Sequence, residues 1–124
     1  MSIETTVYSA LINAAGVTEY TDSRIYAFVA PEGTGYPLAV YNITSESPVS
    51  IIGTQRESGL KNKTVQVDCW AKSAVDMDGL ANAVTAAMHA MTGARALRLS
   101  QNSVFDSQTM LFKCSIDFSV WAAG

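Results

Sequence analysis

His89 is the only histidine of the chain, and a histidine beside a serine or a cysteine is a common route to an activated nucleophile. It stands between Met88 and Met91 in a stretch that repeats like a helix, away from any Ser–Asp pairing pattern. A lone histidine in such a setting reads as structural. Cys69 and Cys114 are the two thiols. Each falls on the apolar face of an alternating segment, where burial raises a thiol's pKa and keeps it inert. The two cysteines and the histidine show no C-x-x-C or H-x-E spacing, so no zinc site is expected. Asp76 and Asp78 open a predicted helix, where carboxylates favour the positive end of the dipole. No phosphate-cradling glycine pattern occurs, and PEGTG at 31–35 reads as turn chemistry within a loop. The residues therefore give no catalytic set, no metal ligands and no cofactor site.

The elements that would position such groups are clearer than the groups. Ile3, Val7, Leu11 and Ala14/Ala15 repeat at helical spacing over 3–15, and Gly16 follows where a helix commonly ends. RIYAFVA, 24–30, and LAVYNIT, 38–44, read as strands around a Pro/Gly loop at 30–37. In TVQVDCWA, Val65, Val67, Cys69 and Ala71 share one face, and Thr64, Gln66, Asp68 and Trp70 share the other. A helix capped by Ser73 or Asp76 follows, with a stripe of Leu80, Val84, Ala87/Met88 and Met91. ARALRLS, 94–100, is a short strand with Leu97 and Leu99 on one face, and 101–109 is its connection. The last strand alternates Phe112, Cys114, Ile116, Phe118 and Val120 with Lys113, Ser115, Asp117, Ser119 and Trp121. The order α-β-β-(long arm)-β-α-β-β predicts an α+β fold, with two helices on one face of a mostly antiparallel sheet, in one domain over 1–124.

Of the 124 residues, 48% are apolar and 15% charged, below the usual share of about 25% charged. This argues against disorder and hints at apolar surface kept for a partner. A net charge of −3 argues against a dedicated nucleic-acid binder. No apolar run approaches the ~20 residues of a membrane span, so no membrane role is expected. The start lacks a basic region ahead of an apolar one, and a chain folded in a reducing cytoplasm is expected.

The segment 45–63 is left over. It holds an apolar island, Val49-Ser50-Ile51-Ile52, between SESP and GTQRESG. Two readings stand side by side: a β-hairpin arm pairing 49–54 with 60–66 and tucked under its own domain, or an arm docking on a neighbouring subunit. Val49, Ile51, Ile52, Gln55, Arg56 and Glu57 are its candidate interface residues. Arg56, Lys61 and Lys63 form a small basic cluster that is either solvated or faces a polyanion. Trp70 and Trp121 sit on polar strand faces and are candidate interface aromatics.

The chain resembles the phage tail completion, or tail terminator, proteins of tailed bacteriophages. The resemblance rests on YSALINAAGV, DSRIYAFVAPEGTGYPLAVYNI, VQVDCWAKSAVDMDGLANAV and FKCSIDFSVWA, which together span nearly all of the sequence. It implies a homo-hexameric ring at the head-proximal end of the tail tube. Such a ring, built in the bacterial host cytoplasm into the virion, would end tube growth and join the tail to the head. Its partners would be its own copies, the tail tube protein, a head–tail connector or stopper protein, and DNA passing without specific contacts. It implies no enzyme activity and no cofactor. A head-completion or connector ring is the neighbouring alternative, and a small ligand-binding α+β module the distant one.

Overall fold

The structure, a computed structural model, describes residues 3–51, 56–92 and 94–123, and its side chains except at 45–61 and 122–123. The elements are α1 (Ile3–Ile12), α2 (Ala15–Thr21), β1 (Ile25–Ala27), β2 (Leu38–Ile51), β3 (Arg56–Ala71), α3 (Ala74–Ala90), β4 (Arg95–Asp106) and β5 (Leu111–Ala123). The strands form one sheet in the order β1-β2-β3-β5-β4. Among the described residues only the β1–β2 pair is parallel. The fold is α+β, as the alternation of periods predicts, with a third helix added.

The core lies between the sheet and the helices. Val65, Val67, Cys69 and Ala71 of β3 and Cys114, Ile116, Phe118 and Val120 of β5 are all fully buried. They meet Ile3, Val7 and Leu11 of α1, Val17 of α2, and Met77, Leu80, Ala81, Val84 and Met88 of α3. A strict period of two on two central strands thus matches a helical stripe above it, which is why one face of the sheet is dry. Ser73 caps α3: its Oγ accepts the Asp76 N–H at 3.1 Å. That satisfies one of the donors a helix start leaves open.

Three local expectations need correcting. Gly16 does not end α1; it lies inside α2. This short helix has no side-chain cap, and packing holds it instead: Val17 and Thr21 are fully buried. Asp22 closes it with a positive φ of 52°, which non-glycine residues seldom adopt, and its N–H donates to the Thr18 carbonyl. Second, the loop expected at 101–109 is largely strand, since β4 continues to Asp106. Third, the arm pairs in another register than expected. It continues the β2–β3 ladder to Ser50↔Glu57 and Ile51↔Arg56, with register shifts at Ile43/Ser45 and Pro48/Ser50. The expected pairing of 49–54 with 60–66 is out of register, because the ladder is set from the core end, where Tyr41↔Val67 and Ile43↔Val65 face the helices.

Arg24 ties these pieces together, donating from Nε to the Pro37 carbonyl at 2.9 Å and from its guanidinium to the Tyr20 carbonyl at 3.4 Å. The end of α2 and the end of the 28–37 loop are thereby held at the start of β1.

The α2–α3 contact depends on missing side chains. A Cβ on Gly79 of α3 would lie 2.7 Å from Tyr20 Cζ, inside any normal contact. Gly79→Ala gains up to about 1 kcal/mol of helix propensity but forces the half-buried Tyr20 ring out of its place, at a cost of about 1–3 kcal/mol. Thermal unfolding is expected to show net destabilisation of about 1 kcal/mol in the parent chain. In a Tyr20→Ala background the same substitution is expected to stabilise. Additive effects of the two changes in a double-mutant cycle would contradict the contact.

Candidate functional site

The groups with nucleophilic potential are removed from use. Cys69 and Cys114 are fully buried and lie directly opposite each other in the β3–β5 ladder. Burial, the neighbouring Cys114 and Asp68 push the Cys69 thiol well above its ordinary range. That is the direction that suppresses thiolate chemistry. His89 is exposed at the end of α3, its ring set edge-on to Phe118 at 6.4 Å. Among the described residues no group of three or more His, Cys, Asp or Glu could hold a metal. Among them, too, no helix is long and apolar enough to cross a membrane.

The sheet face away from the helices is polar at its centre. Ser115 Oγ donates to Asp68 at 2.7 Å, and Ser100 Oγ to Asp117 at 3.0 Å. Asn62 Nδ2 donates to Ser119 Oγ at 2.6 Å. These cross-strand bonds pair the polar side chains of this face with one another. At one end of this face the 28–37 loop covers Leu38, Val40 and Leu111, which are buried apart from the main core. A recess of about 310 Å³ remains there, lined by Phe28, Tyr36, Asp68 and Trp70 among others. Phe28 and Met110 flank it with positive φ of 67° and 59°, both 65% exposed. Non-glycine residues seldom adopt this backbone, and it tends to mark surfaces under constraint.

The two tryptophans are not brought together. Trp70 pairs in register with Lys113, whose ammonium lies 5.2 Å from the indole centre, while Trp121 pairs with Asn62. Eight positions of β3 separate the two rungs, roughly 26 Å. Trp121, 42% exposed, borders a crevice of about 910 Å³ with His89, Met91, Arg95 and Leu97.

Lys63 lies on the helix side of β3 and is bonded to Glu4 of α1 at 2.8 Å, with 13% of its side chain exposed. Its charge is matched within its own chain. Of the other arm residues, Ile52 and Gln55 lie outside the described residues. Val49, Ile51, Arg56, Glu57 and Lys61 are described by backbone alone, in the β2–β3 ladder.

The sheet edges are what the sequence did not single out. β4 is an edge strand twelve residues long, and Leu97, Leu99, Val104 and Phe105 on it are 45–61% exposed. Leu97 and Leu99 read as a buried face, but a register shift between Arg98 and Ser100 breaks the alternation. The β-rich dipeptide Val104-Phe105 was the available signal that the strand continues. At the opposite side, β1 covers only Ala39–Tyr41 of β2. Long apolar edges are a liability that natural sheets blunt unless something pairs with them.

The sheet thus has one dry face, one polar face and exposed edges at β4 and along β2 beyond β1. This fold and sequence have known relatives. The family of tail completion protein gp17 matches residues 5–123, and the chain belongs to that family. It is thus a structural protein of the virion tail. No curated protein matches the sequence. Among solved structures, a chain of the "Virion of native gene transfer agent (GTA) particle" is similar in fold. Its TM-score is 0.72 at 13% identity, covering 99% of this chain and 96% of that one.

Proposed function

We propose that the chain acts as a tail terminator: copies close into a ring at the head-proximal end of the tail tube, stop its growth and give the head connector or stopper protein a surface. The six-fold number follows the family resemblance. The work is done by fit between subunits, without bond-making chemistry, in one domain over 1–124 whose arm spans 45–63. The observation that carries this reading is the β2–β3 ladder of a tail completion protein. It runs on to Ile51↔Arg56, while the β3–β5 ladder has its last pair at Leu60↔Ala123. That leaves 56–59 of β3 and their β2 partners as a two-stranded extension. Such a ribbon is marginal by itself and gains stability from a surface to lie on.

Val49, Ile51, Ile52, Gln55 and Glu57 are the proposed contacts of the arm with a neighbouring subunit or the tube end. Arg56 and Lys61 are the proposed sparse contacts with DNA passing the lumen, which need carry no sequence preference. Lys63, paired with Glu4, serves the junction of arm and α1.

The test is particle mass in solution, alone and with tails lacking this protein. A ring-sized species, or stable capture at one tail end, is the expected result. A strict monomer that ignores tails removes the proposal.

A further inference from the structure

Three reversals, β2 to β3, β3 to β5 and β5 to β4, leave β2 and β4 running in opposite directions at opposite sides of the sheet. A second copy set beside the first in the same orientation therefore brings its β4 antiparallel to the first copy's β2. This contact is head-to-tail, the type that closes rings.

The rungs fix the height at which it can form. Ser47, Asn62, Trp121 and Arg95 stand on one level, and Asn42, Gln66, Asp117 and Ser100 on another. Residues 42–47 of β2 are thus level with 95–100 of β4. Just below, β1 occupies the β2 edge at Ala39–Tyr41, level with Gln101–Ser103 of β4. The part of the β2 edge that β1 leaves uncovered begins at Asn42, at the level where β4 shows Leu97 and Leu99 and borders the Trp121 crevice. Backbone groups are aimed correctly as well. Ala39 donates to the Arg24 carbonyl and the Tyr41 carbonyl accepts from Phe28, so alternation turns Ile43 to the same outer side. The charges agree: Glu46, the single charged residue of 42–47, is level with Ala96, between Arg95 and Arg98.

We propose that residues 42–47 of one copy pair antiparallel with residues 95–100 of the next, so that the sheet runs on from subunit to subunit, with about 20 Å of backbone on each side of the seam. The occupant of each edge is a second copy of this chain. This rests on the ring reading above and adds which strands meet and in what register.

Two experiments test it. Asn42→Cys and Ser100→Cys lie on the same sheet face and the same level, while native Cys69 and Cys114 are buried. Mixing the two single variants under mild oxidation is expected to give a cross-linked pair, and neither variant alone should. Leu97→Lys with Leu99→Lys, at exposed positions, is expected to lose the oligomer at concentrations where the parent chain is assembled. An oligomer that survives the lysines and yields no mixed cross-link overturns the seam but leaves the ring reading standing. A chain that stays monomeric alone and on tails removes both.

Discussion

Removing residues 47–59 is expected to leave a folded domain that no longer caps tails. The deletion joins Glu46 to Leu60, and Leu60, Lys61 and Asn62 then close the hairpin between Glu46 and Lys63, which already pair. A three-residue connection is among the common ways to join antiparallel strands. The core is not touched, because its outermost β2 and β3 members are Ile43 and Val65. The melting temperature is therefore expected to fall by no more than about 5 °C. Tail capping and head joining, by contrast, are expected to disappear, since the residues removed are the ones proposed to reach the neighbouring subunit or the tube end. A variant that still caps and joins tails would show that the arm is dispensable.

The second large effect is on stability. Phe118 is the largest fully buried side chain among the described residues and sits at the centre of β5 under α3. Its truncation to alanine opens a cavity among residues held by β3 and β5 on one side and helices on the other, so little collapse can fill it. Such changes cost about 3–5 kcal/mol, against a total of about 5–15 for a domain of this size. Thermal unfolding is expected 10–20 °C lower, on the order of 4 kcal/mol at ~4 °C each. A shift of a degree or two would mean that the helices do not press on β5 as described. The two variants separate the roles: one loses assembly and keeps the fold, the other loses the fold and assembly with it.

The sequence made the central strands and α3 legible for a simple reason. β3 and β5 are half buried, so alternation reports their faces, and Ser73 stands where a helix needs an oxygen. α2 was hidden because Gly16 looks like a stop, and what holds α2 is contact with α3, which no local pattern encodes. The arm was legible as a possible hairpin but not in its register, because its pairing is inherited from the core end of β2 and β3 and no local pattern of the arm encodes it. β4 was cut short because an edge strand, exposed nearly throughout, has no face for alternation to mark. For the site, Trp121 was legible as an exposed aromatic. Its neighbours on β4 were not, since Leu97 and Leu99 mimic a buried stripe. Lys63 shows the converse: a charge that looks available in the sequence is held by Glu4 across the fold.

The most direct measurement is the length of tails in particles made without this chain, read by electron microscopy. Terminator action predicts tubes of abnormal, scattered length that carry no heads. Tails of uniform normal length, joined to heads, would contradict it.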